Sequence, residues 1–222
     1  MSMLFAPFEI GKVRLMNRIV IPPMCQYSAH QGEATDWHLM HFGNMVLSGA
    51  GLFIIEATAV EPRGRITPFD LGIWSDDTQA ALARALEPAR RYSGMPIAIQ
   101  LAHAGRKAST AKPWEGGHWL NPSQGGWLPV GPSALPFHDQ DPAPTELTIE
   151  DLDEITEAFV NSGHRAASLG IDLIELHAAH GYLLHEFLSP LSNRRGDDYG
   201  GCLENRMRLT LQIFETMRQS LP

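Results

Sequence analysis

Hydrophobic residues in this chain fall into short runs that alternate with amphipathic segments. The runs predict buried strands, and the segments between them have helical spacing, with N-cap candidates at Ser75 and Thr148. A short hairpin is predicted first, at residues 8–17. The predicted strands then cover residues 18–24, 51–60, 95–103 and 171–179, and the predicted helices cover residues 36–48, 75–92, 148–170 and 201–219. Strands that alternate with helices in this way are typical of a parallel sheet in an α/β protein.

Two architectures fit this alternation, an open doubly wound sheet and a (β/α)8 barrel. The first βα turn, residues 22–36, reads PPMCQYSAHQGEATD and lacks the G-x-G-x-x-G fingerprint of dinucleotide-binding open sheets. Polar residues lie at the C-terminal end of each predicted strand, the end where barrel enzymes gather their catalytic groups. These residues are Cys25, Tyr27, Glu56, Thr58, Gln100, His103, His177 and His180. The pattern favours a (β/α)8 TIM barrel of which the first four βα units are present.

Composition and charge exclude several classes of function. The chain has 222 residues, 44% of them hydrophobic, and a net charge of −8, which argues against a nucleic-acid surface because phosphate binding needs clustered Lys and Arg. Two cysteines, Cys25 and Cys202, do not make a disulfide framework and favour a reducing compartment. No secretory signal is evident, and no apolar run approaches the ~20 residues of a membrane span. We therefore expect a soluble, cytoplasmic protein that has no nucleic-acid or membrane partner.

Residues 104–147 form a long stretch without clear periodicity. It contains Trp114, Trp119 and Trp127, side chains that are costly to leave exposed in a disordered insert. A loop of this length is uncommon in a compact domain and usually has a functional role. We predict a loop or lid after the third strand, within one domain that covers residues 1–222.

The histidines after the fourth strand allow several interpretations. His177 and His180 can bind a metal, act as acid and base, hold an anion or carbonyl oxygen, or simply pack. The spacing is weak for a metal pair, and His103 is the only obvious third ligand. Two imidazoles at a barrel mouth can both donate to one oxygen, which fits their location better.

Four other residues have plain structural alternatives. Cys25 is interpretable as an inert buried thiol, and Glu56 as the partner of a basic residue inside the barrel. Gln100 lies within an apolar strand, where a buried amide needs several hydrogen-bond partners and favours a polar ligand. Tyr182 is interpretable as a helix-start aromatic residue that packs on its neighbours.

Five segments taken together resemble one known family. Residues 21–27, 56–60, 99–107, 175–190 and 192–206 read IPPMCQY, EATAV, IQLAHAGRK, ELHAAHGYLLHEFLSP and SNRRGDDYGGCLENR. In this order and spacing they resemble the old yellow enzyme family of FMN-dependent ene-reductases. The likeness is strongest to the xenobiotic reductase branch, which carries a cysteine in the first strand and has the His-x-x-His form of His177 and His180.

The resemblance implies a role for each site residue at the carboxyl rim of a barrel. Pro22, Pro23, Met24 and Cys25 would lie along the flavin ring, with the Cys25 thiol tuning its reduction potential. Ala57 would give the flavin a backbone contact, and Gln100 would bond its pyrimidine end. His177 and His180 would hold a carbonyl or nitro oxygen of the substrate, Tyr182 would donate a proton and Tyr27 would line the pocket. No metal is implied.

The resemblance also implies an activity and partners. We expect FMN as cofactor and NADPH or NADH as reductant of α,β-unsaturated carbonyl or nitro compounds, with a homo-oligomer when the chain is full length. The sequence ends at QSLP, where a fifth strand is expected, so we expect the N-terminal part of a longer barrel. Two alternatives stay open. One is a non-catalytic half-barrel that needs a partner, and the other is a metal-dependent hydrolase that uses His103, His177 and His180.

Overall fold

The computed structural model describes residues 2–221 as strands and helices that alternate along the chain after an N-terminal hairpin. The strands are β1 (Phe8–Ile10), β2 (Val13–Leu15), β3 (Val20–Ile21), β4 (Leu52–Ala59), β5 (Ile97–Ala102), β6 (Val130–Gly131), β7 (Thr145–Glu146) and β8 (Leu173–Leu176). The α-helices are α1 (Asp36–Val46), α2 (Asp76–Tyr92), α3 (Ile149–Ser168), α4 (Leu183–Leu188) and α5 (Leu203–Ser220).

Four strands form one parallel sheet in the order β3-β4-β5-β8. Helices α1, α2 and α3 connect consecutive strands of this sheet, and α5 packs beside α3. The architecture is that of four βα units of a (β/α)8 barrel, as the sequence pattern predicts. Because all the strands point the same way, their carboxyl ends meet at one rim, which is where the candidate site lies.

Local sequence signals explain where the main elements begin. The Ser75 hydroxyl accepts a hydrogen bond from the Thr78 backbone N–H at the start of α2, and Thr148 accepts one from Asp151 N–H at the start of α3. Both N-caps confirm the sequence prediction, and side chains of this kind stabilise a helix by about 1 kcal/mol each. Strand β4 is buried along nearly its whole length, as expected for a strand covered on both faces.

A continuous hydrophobic core lies between the sheet and its helices. Phe42 of α1, Phe53 of β4, Ile99 of β5, Phe159 of α3 and Phe187 of α4 are fully buried in it. Burial of each such side chain stabilises the fold by about 1.5–3 kcal/mol. This packing fixes the strand ends and therefore the positions of the side chains at the rim.

Three features depart from the sequence prediction. The first parallel strand is only Val20–Ile21, because the prolines that follow have no N–H to donate to a ladder. The fourth strand is Leu173–Leu176, shorter than the predicted residues 171–179, so His177 comes just after it. Helix α4 was not predicted as a separate helix, since six residues show little periodicity.

The segment after β5 is built from short elements. Three 3-10 helices, at Gly105–Lys107, Pro113–Glu115 and Pro122–Gln124, precede the parallel pair of β6 and β7. The indole N–H of Trp127 donates to the carbonyl of Arg63, and the indole of Trp119 donates to the carbonyl of Trp127. These bonds attach the segment to the barrel rim. Within residues 2–221, no helix is both long and apolar enough to cross a membrane.

Candidate active site

Three polar side chains follow strand β8 and form one group, which we call the donor rim: His177, His180 and Tyr182. The His177 ring lies 5.1 Å from the His180 ring and 4.9 Å from the Tyr182 ring, measured between centroids, and both pairs are edge-to-face. The backbone N–H of His177 donates to the Leu101 carbonyl at 2.9 Å, which extends the β5–β8 ladder by one residue. The sequence prediction that these residues act together is therefore consistent with their positions.

Local backbone geometry sets the direction of each side chain in the donor rim. His180 has φ of +58°, a left-handed conformation that is uncommon outside glycine, and its side chain is exposed. Tyr182 is the N-cap residue of α4, which agrees with its interpretation as a residue at the start of a helix. The N–H of Leu183 donates to the His103 carbonyl at 2.9 Å and ties α4 to the end of β5.

Burial makes His177 a neutral hydrogen-bond donor. His177 is 6% exposed, and burial, with His180 and Lys107 nearby, lowers its pKa to about 4. Its Nδ1 accepts a hydrogen bond from the Ala179 N–H at 3.3 Å, which assigns the ring proton to Nε2. At neutral pH the imidazole therefore carries its proton on Nε2 and does not carry the charge of an imidazolium.

Tyr182 keeps its proton for the same physical reason. Burial, followed by Cys25 and Asp70, raises the pKa of Tyr182 to about 12. The Lys107 ammonium lies 4.9 Å from the centre of the Tyr182 ring and donates to the His180 carbonyl at 3.0 Å. Lys107 was not among the predicted site residues, although it lies in one of the segments that carry the family resemblance.

A β-bulge lies at the middle of the sheet, beside the donor rim. The pairing of β4 with β5 shifts between Ile55 and Thr58, so that Glu56 and Ala57 face Gln100 alone. Gln100 donates from its side-chain amide to Glu175 on β8 at 3.0 Å. Bulges re-aim side chains and leave a residue outside the ladder, and they are frequent next to active sites. The bulge places Glu56 and Ala57 opposite Gln100, and a shared role of Ala57 and Gln100 at a flavin stays a prediction.

A second group, which we call the acid cluster, consists of Cys25, Glu56 and Asp70. One ligand atom from each residue lies within 4.8 Å of the others. Burial raises the pKa of the Cys25 thiol, and Asp70 and Glu56 raise it further. Burial, with Glu56 as the nearby like charge, also raises the pKa of Asp70 to about 7. At neutral pH the thiol is protonated and the Asp70 carboxyl is close to half protonated.

The partners of Glu56 come from the first βα turn and from α1. The Gln26 N–H donates to Glu56 Oε2 at 2.8 Å, and His38 Nε2 lies 3.4 Å from Glu56 Oε1. Glu56 therefore has a basic partner, as one of its sequence interpretations required, and that partner is His38. Neither His38 nor Asp70 was predicted as a site residue, because nothing local in the sequence links either residue to Glu56.

The other residues predicted to line the site differ in exposure. Pro22 and Met24 are exposed, whereas Pro23 and Cys25 are half-buried on the connection that follows β3. Tyr27 has φ of +51° and packs edge-to-face on Trp114 with 5.5 Å between ring centroids. Tyr27 also lines one pocket together with Lys107 and Tyr182, which agrees with its predicted place in a substrate pocket.

The third histidine of the metal-hydrolase alternative has other partners. His103 Nε2 lies 2.6 Å from Glu61 Oε1, and His103 Nδ1 accepts from the Gly105 N–H at 3.0 Å. Both ring nitrogens are thus engaged away from His177 and His180. Over residues 2–221, the group of His, Cys, Asp and Glu side chains at metal-ligand spacing is the acid cluster, not the three histidines.

Comparison with known sequences gives one family and close relatives. A family model described as the NADH:flavin oxidoreductase / NADH oxidase family matches residues 3–221. An NADH:flavin oxidoreductase from Gibberella zeae is 46% identical and aligns with 98% of this chain and 54% of its own length. An NADPH dehydrogenase from Bacillus subtilis is 44% identical, over 97% of this chain and 60% of its own length.

Comparison with solved structures gives the same kind of relative. Morphinone reductase superposes with a TM-score of 0.82 at 30% identity, over 97% of this chain and 58% of its own. Old Yellow Enzyme from a Pichia species superposes with a TM-score of 0.87 at 29% identity, over 99% of this chain and 57% of its own. The chain thus spans less than two thirds of the length of the relatives that it matches.

Proposed function

The chain belongs to the NADH:flavin oxidoreductase / NADH oxidase family, and from this premise we propose that its rim binds FMN and reduces α,β-unsaturated carbonyl or nitro compounds with NADPH or NADH. The observation that carries the proposal is the donor rim, where a neutral Nε2–H donor on His177 stands beside the protonated phenol of Tyr182. Both groups hold a proton at neutral pH and face the same part of the rim.

The middle of the sheet fits a flavin. Gln100 uses one amide N–H on Glu175, and its carbonyl oxygen has no hydrogen bond to any residue in the described range 2–221. The pyrimidine end of a flavin presents both donors and acceptors, which match a free amide and the backbone at the bulge beside Ala57. Gln100 and Ala57 would hold that end, and the residues Pro22, Pro23, Met24 and Cys25 would lie along the ring.

Electrostatic stabilisation of an oxygen is the part of the reaction that we assign to the histidines. The chemistry that FMN supplies when bound is hydride transfer from NADPH or NADH to the electron-poor carbon of the substrate. As a hydride reaches that carbon, negative charge collects on the carbonyl or nitro oxygen. His177 Nε2–H and His180 would donate to this oxygen, and fixed donors stabilise the transition state more than the ground state.

Proton transfer is the part that we assign to Tyr182. Its raised pKa keeps the phenol protonated, so a proton is available for the substrate α-carbon after the hydride has been added. The tyrosinate left behind would be stabilised by the Lys107 ammonium, 4.9 Å from the ring centre. Tyr27 would line the pocket, where burial raises its pKa and keeps its hydroxyl a donor as well.

A visible absorption spectrum tests this proposal. The purified 222-residue chain is mixed with excess FMN, desalted and then titrated with a simple phenol, whose phenolate oxygen imitates the negative oxygen of the transition state. We expect a retained flavin band that shifts to longer wavelength as the phenol binds. His177→Ala should weaken phenol binding by about 100-fold, the usual effect of losing one oxyanion donor.

Two outcomes would contradict the proposal. A chain that emerges colourless from the desalting column does not hold FMN at this rim. A His177→Ala variant that binds phenol as tightly as the parent removes the role of the histidine. His164→Ala is the matched control, because His164 is exposed on α3, away from the rim, and its loss should change neither the flavin band nor the phenol titration.

A further inference from the structure

Glu186 is a buried carboxyl to which the proposed reaction assigns no role. It lies on α4 and is 1% exposed. Its Oε1 accepts a hydrogen bond from the Arg106 backbone N–H at 2.9 Å, whereas its Oε2 is buried without a hydrogen bond within residues 2–221. A buried carboxyl is less costly when it is protonated, and burial raises the pKa of Glu186 to about 8. Glu186 therefore changes its charge just above neutral pH.

The turn that follows β5 is shaped around this carboxyl. Gly105 has φ of +60°, and a β-carbon there would overlap the Glu186 carboxyl group. The 3-10 helix Gly105–Lys107 thus lies directly against the acid, and the Arg106 N–H joins the two. Gly131 of β6 also approaches, since a β-carbon at Gly131 would lie 3.3 Å from Glu186 Oε2. Two glycines and one N–H enclose the carboxyl.

Lys107 connects this turn to the donor rim. Its Nζ donates to the His180 carbonyl at 3.0 Å and lies 4.9 Å from the centre of the Tyr182 ring. Because Glu186 holds the N–H of the residue before Lys107, the direction in which the lysine leaves the backbone depends on that bond. Burial lowers the pKa of Lys107, and the Glu186 carboxylate raises it. Glu186 therefore affects both the place and the charge of the ammonium.

We propose that Glu186 is a positioning residue for Lys107. Its carboxyl fixes the Gly105–Lys107 turn, and its negative charge, once formed, keeps the ammonium protonated against the His180 carbonyl and the Tyr182 ring. The use of that ammonium to stabilise a tyrosinate rests on the proposed function, but the contacts that place it do not. Glu186 acts through Lys107 and not on the substrate.

Other titratable groups face Lys107 or share its pocket, namely Tyr27, Arg106, His138, Asp141, His177 and Tyr182. Burial lowers the pKa of His177 to about 4 and raises the pKa of Tyr182 to about 12, so neither changes its charge near pH 8. The Arg106 guanidinium stays charged. A change near pH 8 that disappears when Glu186 is replaced therefore belongs to Glu186.

Carbon-13 NMR of methylated lysines tests the effect of the Glu186 charge without any flavin. The lysines of the chain are Lys12, Lys107 and Lys112, so reductive methylation gives few signals, and Lys107→Arg assigns the signal of Lys107. Methylation keeps the charge of the amine. In the parent we expect the Lys107 signal to show a small step near pH 8 before its main titration. Glu186→Gln should remove this step and lower the pKa of Lys107, because a neutral amide does not favour the ammonium.

Amide hydrogen exchange tests the positioning itself. Glu186→Ala removes the acceptor of the Arg106 N–H, so this amide should exchange about tenfold faster than in the parent. Glu186→Gln keeps an oxygen for the same N–H, and its exchange should stay close to that of the parent. Glu215→Gln is the matched control, because Glu215 is exposed on α5, and it should change neither measurement.

Two results would overturn the proposal. One is a Lys107 pKa that is the same in Glu186→Gln as in the parent, and the other is an Arg106 amide that exchanges as slowly in Glu186→Ala as in the parent. If Glu186→Gln does not fold, the parent decides the first point, since a Lys107 signal without a step near pH 8 overturns it. Neither measurement uses FMN, so a chain that fails to hold flavin contradicts the proposed function and leaves the role of Glu186 to these two results.

Discussion

The acid cluster and the donor rim lie at the same end of one sheet, and burial acts on both, but it shifts their pKa values in opposite directions. In the donor rim, burial lowers the pKa of His177 to about 4 and leaves a neutral imidazole. In the acid cluster, burial raises the pKa of Asp70 to about 7 and favours the protonated acid. Desolvation disfavours whichever form carries charge, so the base loses its proton and the acid keeps one.

Because the pKa shifts are opposite, acids and bases at this rim both favour their neutral forms, and the rim holds several titratable groups without accumulating charge. Neutral groups of both kinds remain hydrogen-bond donors, because the neutral imidazole of His177 keeps Nε2–H, and the Cys25 thiol and Tyr182 phenol keep their protons. A substrate that develops negative charge is stabilised by such donors, whereas a rim of ionised carboxylates would repel it. The acid cluster is thus tolerable near the donor rim only while it is protonated or neutralised by a cation.

The largest effect should come from Asp70, whose pKa is raised above the unfolded value of 3.8. Between pH 4 and pH 7 the folded chain holds a proton that the unfolded chain has lost, so the stability contributed by Asp70 falls as the pH rises. Asp70→Asn should remove this dependence. The difference in free energy of unfolding between parent and variant should change by about 3 kcal/mol across that window and be flat above it. Urea unfolding at several pH values measures it.

The matched control for Asp70 is an exposed aspartate on the segment after β5. Asp139 is exposed, and Asp139→Asn should leave the pH profile of the parent unchanged. A flat difference between the parent and Asp70→Asn from pH 4 to pH 7 would mean that Asp70 ionises as it does in water. The opposite pKa shifts of the acid cluster and the donor rim would then not hold.

Much of the fold could be predicted from the sequence because its signals are local. The strand β4 is a continuous apolar run, and the caps of α2 and α3 are set by Ser75 and Thr148 within three residues of the bonds they make. The ends of the strands and helices are harder to predict from the sequence. The fourth strand stops at Leu176, because beyond it the chain turns through the left-handed residue His180 into α4, a helix too short to show a period.

The candidate site was only partly predictable, for a physical reason. His177, His180 and Tyr182 are close in sequence, so their grouping follows from one strand end and one turn. The acid cluster joins three separate stretches of the chain, and the contact of Asp70 with Cys25 and Glu56 is set by tertiary packing. The bulge that aims Ala57 towards Gln100 is likewise a property of two strands paired together, and neither strand shows it alone.

The second effect should come from His177 and have the opposite sign. Its folded pKa of about 4 lies below the ordinary value of 6.5, so between pH 6.5 and pH 4 the unfolded chain binds a proton that the folded chain does not. The stability contributed by His177 is therefore present above pH 6.5 and is lost as the pH falls. His177→Gln should remove about 1–2 kcal/mol of that loss, a figure reduced for solvent screening of a group at a rim.

The direction in which the stability of His177→Gln changes with pH, relative to the parent, tests whether His177 and Asp70 have opposite pKa shifts. Urea unfolding of His177→Gln should show a gain relative to the parent as the pH falls, whereas Asp70→Asn should show a relative loss over the same range. His164→Gln, a change at an exposed histidine of α3, should follow the parent closely. If His177→Gln also follows the parent, His177 titrates as an exposed histidine, and its role as a neutral donor is wrong.

The smallest effect concerns the backbone that holds the donor rim in place. His180 has φ of +58°, where a β-carbon is strained and glycine is not. His180→Gly should relieve that strain and, after the greater flexibility of the unfolded chain is subtracted, raise the free energy of unfolding by about 0.5 kcal/mol.

Ala179→Gly is the matched control one residue earlier, at a position that is not among the described residues with positive φ, and it should lower the stability by about 0.5 kcal/mol. Thermal unfolding of the two variants beside the parent measures both changes. Opposite signs would mean that the fold gives up stability to direct the His180 imidazole towards His177, whereas equal losses would mean that the turn tolerates a side chain and that no strain is stored there.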